Sequence, residues 1–191
     1  FISDEVQTGF GRTGGKMFGI EQYGVEPDIM TMAKGVANGL PLGVTIATPE
    51  IAAAWEKTTF STYGGNPLSC AAANAVLDVI ETENLPDNCT RMGDRLRAGL
   101  EDLQQRFPKK IGDVRGMGLM QALELVVDET AGDRTPDTDF TGRLFEETRK
   151  RGLLIGKGGL YGNVTRLSPP MTIGEADIDE ALRILRESFE A

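Results

Sequence analysis

The sequence predicts an α/β fold in two parts, and three features of the pattern indicate it. Short apolar runs end in loops rich in Gly, Asn and Pro, as buried strands do. Longer stretches with apolar residues at helical spacing lie between or after them. The composition also changes near residues 80–110, from short strands with glycine-rich loops to a dense mixture of helix and strand. We therefore predict one domain over residues 1–84 and a second over residues 85–191.

The first domain is predicted to contain three strands and three helical segments. Pro67 stands where a first-turn proline belongs, and the alanine-rich stretch after it predicts a long helix. Thr48 and Pro49 open a shorter helix in the same way. In chain order the elements are a strand that ends at Asp4, a helical turn at 18–23, strands at 29–32 and 41–48, and helices at 49–55 and 68–83.

The second domain is predicted in the same way, from short apolar runs for strands and from apolar residues at helical spacing for helices. Residues 111–118 are expected to lead into a strand, and the polar, proline-containing residues 128–139 are expected to form an exposed excursion. The remaining elements are helices at 85–107, 140–151 and 175–189, and strands at 119–127, 153–156 and 164–167.

Composition excludes several classes of function. A net charge of −9 disfavours binding to nucleic acid. The chain has no histidine, so proton transfer must use Lys, Asp, Glu, Tyr or Cys. Cys70 and Cys89 lack the spacing of a metal site or a disulfide framework, and we expect two reduced thiols and no bound metal.

The sequence also bears on location and completeness. No window approaches the roughly 18 uninterrupted apolar residues that a membrane span needs, and we expect no membrane association. The chain opens at Phe1 inside an apparent buried strand, which suggests the later part of a longer protein. We expect a cytoplasmic protein, with an organelle matrix left open because a leader would precede these residues.

Asp4 and Lys34 are candidate site residues because each follows an apolar strand. Acids at the carboxyl ends of α/β strands point into the crevice that binds ligands, where Asp4 could hold a cation or a protonated ring nitrogen. A lysine that leaves a buried element can become a free amine, the nucleophile that forms Schiff bases with aldehydes. The alternatives are a capping or loop acid and a solvated loop lysine.

Residues 9–14 match the GxGxxG spacing of dinucleotide-binding loops, and they follow a strand. No long helix follows them, and no second strand ends in an acid at the distance that a ribose contact requires. An ordinary tight loop is the better interpretation, although a nucleotide-binding module stays open as a distant alternative.

Two further segments could bind anions. Residues 61–67 place hydroxyl and backbone N–H groups before a helix, which suits a phosphate, while helix capping is the simpler alternative. Arg166 ends a strand just before two prolines and could grip a carboxylate with its planar guanidinium. An exposed edge-strand arginine is the alternative.

Taken together, these residues resemble the class III aminotransferases, which are fold-type I enzymes that use pyridoxal 5'-phosphate (PLP). The resemblance runs from Asp4 nearly to the C-terminus and implies the later part of a large, mostly parallel-sheet domain followed by a small α+β domain. The motif sequences are closest to those of the alanine–glyoxylate branch, with 4-aminobutyrate and ornithine aminotransferases as near relatives. The motifs are DEVQTGFGRTG at 4–14, PDIMTMAKG at 27–35, STYGGNPLSCAAA at 61–73, GDVRGMGLM at 112–120 and RLSPP at 166–170.

The resemblance implies a role for each matching residue. Asp4 pairs with the protonated pyridine nitrogen, Val6 packs on the ring face and Gln7 hydrogen-bonds near the phenolic oxygen. Lys34 forms the Schiff base with PLP and then moves a proton between the substrate Cα and the cofactor.

The resemblance also implies partners. Thr62 reaches the cofactor phosphate of the neighbouring subunit, so a homodimer with shared active sites is expected. Arg166 binds the carboxylate of a small amino-acid donor or keto-acid acceptor. The family's first half, with most of its phosphate contacts and the aromatic residue that stacks on the ring, has no counterpart here, which puts the activity of this chain alone in question.

The function implied is a two-stage transfer of an amino group from an amino acid or amine to a keto acid or aldehyde. PLP aminomutases, racemases and decarboxylases share the same lysine and aspartate and remain alternatives. A non-enzymatic chain that does not retain cofactor is the alternative from a different class.

Overall fold

Two separate β-sheets organise the chain, one in each of two units. The computed structural model describes residues 1–191, and the units are Phe1–Asp87 and Asn88–Ala191. The predicted domain division after residue 84 stays a prediction, because compactness alone does not establish that either part folds independently.

The first unit has a three-stranded sheet in the order β1-β2-β3. Its strands are β1 (Ile2–Asp4), β2 (Ile29–Met32) and β3 (Val44–Ala47). β1 and β2 are parallel, whereas β3 runs antiparallel to β2. The parallel pair matters for function, because the carboxyl ends of β1 and β2 meet at one edge of the sheet.

The helices of the first unit begin at side-chain caps that the sequence predicts. α1 (Pro49–Ala53) is capped by Thr48, and α2 (Pro67–Thr82) by Asn66, whose Oδ1 accepts the Ser69 N–H at 3.0 Å. In each case a proline occupies the first turn, where the missing N–H has no intrahelical partner. Two short 3₁₀ turns, Gly19–Tyr23 and Lys34–Ala37, complete the unit.

The second unit is an antiparallel sheet with the order β4-β5-β8-β7, and β6 pairs with the far end of β5. α3 (Leu85–Arg106) begins in the first unit and runs into the second. The other elements are β4 (Ile111–Met117), β5 (Met120–Asp128), β6 (Asp133–Pro136), α4 (Thr138–Lys150), β7 (Gly156–Gly158), β8 (Val164–Leu167) and α5 (Glu175–Glu190).

The second unit differs from the sequence prediction at three places. Residues 111–117 form strand β4, which pairs with β5 in a hairpin, whereas the sequence predicted only that 111–118 would lead into a strand. The excursion at 128–139 contains β6, which pairs with β5 although its residues are mostly exposed. β7 occupies 156–158, later than the predicted 153–156. For β4 and β6, cross-strand hydrogen bonds form a strand where the apolar pattern is weak.

The core of the second unit is built mainly from leucines on α3, β5, α4 and α5. Three phenylalanine rings pack together in this core. The Phe189 ring centroid lies 5.0 Å from that of Phe107 and 5.4 Å from that of Phe140. The largest fully buried side chains there are Leu96, Leu100, Ile111, Leu119, Leu123, Leu125, Leu144, Ile178 and Leu185.

A glycine contact joins α3 to the turn of the β4–β5 hairpin. A Cβ atom at Gly93 would lie 2.4 Å from the backbone carbon of Gly118, well inside van der Waals contact. The helix and the turn can approach this closely only because residue 93 has no side chain.

No helix among residues 1–191 combines the length and the apolar character needed to cross a membrane.

Candidate functional site

Asp4 and Lys34 lie at the same edge of the first sheet. Asp4 is the last residue of β1 and is aligned with Thr31 of the parallel strand β2. Lys34 follows Thr31 three positions later, two residues beyond the end of β2. Neighbouring strands are about 4.8 Å apart. The residues that carry the carboxylate and the amine, Asp4 and Lys34, therefore follow adjacent strand ends at the same edge of the sheet.

Asp4 is exposed, with one side of its carboxylate held by the backbone. Its Oδ1 accepts the Val6 N–H at 3.0 Å, and Oδ2 receives no hydrogen bond from residues 1–191. No helix begins here, so the helix-cap alternative is wrong, although the contact with Val6 is a local turn of the kind that loop acids make.

Lys34 has a left-handed backbone, with a φ of 48°. For a residue with a side chain this conformation costs roughly 1–2 kcal/mol, so packing must hold it in place. Val36 and Ala37, in the same 3₁₀ turn, are buried, and the turn packs against α2. The α2 helix therefore supports the segment that carries the amine.

The Lys34 side chain is exposed and lines a shallow recess with Gly35, Asn38 and Pro41. Residues 1–191 therefore do not supply the desolvation that the sequence analysis linked to a nucleophilic lysine.

Val6 and Gln7 follow β1 directly, in a series of turns. Val6 is half-buried and Gln7 is exposed. The glycine-rich residues 9–14 do not start a helix, and the next helical element is the five-residue turn Gly19–Tyr23. A dinucleotide loop requires a helix whose N-terminus faces the phosphates, so this loop lacks that geometry.

Glu5 is the buried residue that the sequence analysis missed. It is only 2% exposed, and its carboxylate accepts hydrogen bonds from Ser3, Thr8, Gly19 and Ile20. Burial by itself raises the pKa of Glu5, but the hydrogen bonds outweigh it, and the pKa lies below its ordinary value. Ser3 and Glu5 are both buried and alternate with the exposed Asp4, but two polar residues in these positions do not form an apolar pattern that the sequence would reveal.

Thr62 lies in the exposed turn that precedes α2. Asn66 caps the helix, so the capping alternative is correct for Asn66 and leaves Thr62 on the surface. Its neighbours Phe60 and Tyr63 are 90% and 82% exposed, which is unusual for large aromatic residues.

Arg166 belongs to the second unit, where it is exposed on β8 between buried Thr165 and Leu167. β8 pairs with β5 on one side and β7 on the other, so the edge-strand alternative is wrong. The cross-strand neighbours of Arg166 are Ala122 and Gly156. Small residues on both sides leave room for the guanidinium group above the sheet.

Comparison with known proteins gives consistent matches along the chain. Residues 1–189 match the aminotransferase class-III family. The mitochondrial alanine–glyoxylate aminotransferase 2 homolog 2 of Arabidopsis thaliana is 47% identical over 180 residues, which are 94% of this chain and 37% of that protein. The 4-aminobutyrate aminotransferase of Escherichia coli (strain K12) is 42% identical over 191 residues, which are 99% of this chain and 44% of that protein.

Solved structures agree. A phospholyase from Arthrobacter, in complex with phosphoethanolamine, has a TM-score of 0.93 and 38% identity, and the match covers 100% of this chain and 45% of that one. The chain thus spans less than half the length of these relatives. The matches confirm the predicted resemblance and the α/β fold class, PLP-dependent transferase fold type I. The chain belongs to the class-III aminotransferase family.

Proposed function

We propose that the complete protein is a PLP-dependent aminotransferase that moves an amino group from an amino acid or amine to a keto acid or aldehyde. The observation that carries the proposal is the placement of Asp4 and Lys34 at the ends of the parallel strands β1 and β2. Membership of a family whose enzymes use PLP supports it.

The residues present fit the chemical groups of PLP. PLP has an aldehyde, a ring nitrogen and a phosphate, and these call for an amine, a carboxylate and hydrogen-bond donors. Lys34 offers the amine, and the Oδ2 atom of Asp4 lacks a donor within this chain. Thr62 offers a hydroxyl on an exposed turn. We assign Lys34, Asp4, Val6, Gln7 and Thr62 to cofactor binding.

When bound, PLP supplies an electron sink for the bonds at the substrate Cα. Asp4 would hold the proton on the pyridine nitrogen, and Gln7 would donate a hydrogen bond to the phenolic oxygen. The Lys34 Nζ atom would accept the proton that leaves the substrate Cα and deliver it to the cofactor, and it would move a proton in the opposite direction in the second half-reaction. Both half-reactions therefore depend on the same amine.

Arg166 would bind the carboxylate of the amino donor or the keto-acid acceptor. Its planar fork of N–H groups suits two carboxylate oxygens, and β8 is fixed by neighbours on both sides. Alanine, glyoxylate and 4-aminobutyrate are the first substrates to try, because they are named in the relatives' activities. The compartment stays a prediction: cytoplasm or an organelle matrix.

The first experiment measures PLP bound to the complete natural protein by its yellow absorption band, followed by borohydride reduction and peptide mapping. We expect reduction to fix PLP on Lys34 and expect Lys34→Ala to lose the band. Lys16→Ala is the matched control, since Lys16 is also an exposed loop lysine of the first unit. Labelling spread over surface lysines, or none, would refute the proposal and favour a chain that does not retain cofactor.

We also propose a homodimer with shared sites, in which Thr62 contacts the phosphate held by the partner subunit. The exposure of Phe60, Thr62 and Tyr63 supports it. Mixing Lys34→Ala subunits with Thr62→Ala subunits at limiting PLP tests it. If the sites are shared, hybrids have one intact site, and random mixing restores roughly a quarter of wild-type activity. No recovery above the separate variants would contradict sharing.

A second candidate reaction is elimination of phosphate from a phosphorylated amine, for which the structural similarity to the phospholyase, at a TM-score of 0.93, is the supporting observation. Phosphoethanolamine offered without an amino acceptor distinguishes the two. Release of inorganic phosphate would support elimination, whereas keto-acid formation from alanine with glyoxylate as acceptor would support transfer. Analysis of the same products also excludes or identifies mutase, racemase and decarboxylase activity.

A further inference from the structure

We propose that Glu5 is a positioning residue for Asp4, a buried carboxylate that fixes the direction in which Asp4 leaves β1. The proposal rests on the proposed function, because the group to be positioned is the one assigned to the cofactor ring nitrogen. The Glu5 side chain is buried, whereas the side chain of Asp4, the residue before it, is exposed.

Each carboxylate oxygen of Glu5 accepts two hydrogen bonds. Oε1 accepts the Ser3 hydroxyl at 3.0 Å and the Ile20 N–H at 2.8 Å. Oε2 accepts the Thr8 hydroxyl at 2.6 Å and the Gly19 N–H at 2.9 Å. All four partners donate, so the ionised carboxylate satisfies every one of them, and a protonated acid or an amide cannot.

The backbone of Glu5 is held as firmly as its side chain. Its N–H donates to the Thr31 carbonyl at 2.9 Å, and its own carbonyl accepts the Gly9 N–H at 3.0 Å. Thr31 is also the residue of β2 aligned with Asp4. Residue 5 is therefore fixed to the strand that leads to Lys34 and to the turn that follows β1.

Asp4 depends on this arrangement. Its only hydrogen bond within the chain is from the Val6 N–H, so the peptide groups on both sides of residue 5 set the direction of the Asp4 carboxylate. A rotation of the backbone at Glu5 would move the Val6 N–H away from Oδ1. The carboxylate would then lose its fixed orientation.

Stability alone does not explain a buried carboxylate here. No lysine or arginine pairs with Glu5 among residues 1–191, so its charge is compensated by hydrogen bonds only. Burying a charge costs free energy of folding, and a protein with a well-packed apolar residue at such a position would often be as stable. Gly19 also lacks a side chain where a Cβ would lie 2.7 Å from the Thr8 Cβ, which keeps the donors close to Glu5.

The test uses Glu5→Gln in the complete PLP-loaded protein, with Asp137→Asn as the control. Asp137 is a hydrogen-bonded carboxylate of the second unit, outside the proposed site. For Glu5→Gln we expect weaker PLP retention, a shifted pH at which the cofactor absorption changes, and kcat reduced about tenfold to a hundredfold, the size of effect known for residues that orient metal ligands through hydrogen bonds. KM for the keto acid should change little.

Asp137→Asn should lower the melting temperature without moving the cofactor titration. If Glu5→Gln fails to fold, Thr8→Val removes a single donor and should give the same spectral shift in weaker form, and Thr8→Ser should restore it.

A Glu5→Gln or Thr8→Val protein that loses thermal stability but keeps the cofactor titration and kcat would overturn the positioning role and leave the proposed function intact. A wild-type protein that does not carry PLP on Lys34 would overturn both.

Discussion

The Arg166 side chain on β8 passes beside Gly156 on β7, and a Cβ at residue 156 would lie 3.4 Å from Arg166 Nε and 3.3 Å from its carbonyl oxygen. The contact is tight, and part of it is backbone. A methyl group at this position therefore requires Arg166 to shift by a few tenths of an ångström.

The first prediction follows from this contact. Gly156→Ala should raise KM for the keto-acid acceptor about threefold to tenfold, equivalent to about 1 kcal/mol of binding, with a smaller effect on kcat. Gly158→Ala is the matched control, because it lies on the same strand with no atom within 4 Å of its Cβ position. Steady-state kinetics with each variant provide the measurement. Equal KM values for the two variants would argue against carboxylate binding by Arg166.

The second prediction concerns the left-handed backbone of Lys34. Lys34→Gly and Lys34→Ala should both abolish transfer, but the glycine variant should be about 0.5–1 kcal/mol more stable, because glycine adopts positive φ without strain. Urea denaturation of the cofactor-free proteins measures the difference. Ala47→Gly in β3 should lose stability instead, since its backbone is that of an ordinary strand. An alanine variant as stable as the glycine variant would contradict strain at residue 34.

The third prediction is a pH dependence of stability from Glu5. Its folded-state pKa is lowered, so its contribution is present above the unfolded pKa and is lost as pH falls through the lower, folded value. The free energy of unfolding should therefore fall more steeply toward acid in the wild type than in Glu5→Gln. Denaturation curves between about pH 7 and pH 3 compare the slopes, and parallel slopes would count against the buried charge.

The fourth prediction tests the second unit. Asp137 caps α4 by accepting the Phe140 N–H at 2.9 Å and also accepts from the Lys110 ammonium at 2.8 Å. Asp137→Ala should cost about 1–2 kcal/mol of stability, and Asp137→Asn less, because asparagine keeps the cap and loses only a partly exposed ion pair. Thermal melts measure both, and equal losses would mean that the charge matters more than the cap.

Elements with strong periodicity were predictable from the sequence. α2 and α5 were located within about one residue, because apolar spacing marks the length of both helices and a proline marks the start of α2. The sequence also predicted that Asp4 and Lys34 each lie at the end of a strand, since both residues follow apolar runs. That these runs are parallel neighbours required the structure.

Other features leave no clear sequence signal. β4 contains Gly112 and Gly116, which suggest a loop until the pairing with β5 is known. The burial of Glu5 was missed because a carboxylate is normally a surface group, and its donors Gly19 and Ile20 are distant in sequence. The exposure of Lys34 within this chain could not be deduced, because burial depends on everything that packs around a strand end.

The contact between Gly93 and the backbone of Gly118 has a consequence for mutational screens. The atoms that a new Cβ would meet are backbone atoms, which cannot swing aside as a flexible side chain can. A saturation library selected for activity should therefore tolerate only glycine at position 93, as strictly as it tolerates only lysine at position 34. The two intolerances have different origins, and an abundance assay separates them: substitutions at position 93 deplete the folded protein, whereas substitutions at position 34 leave it abundant and inactive.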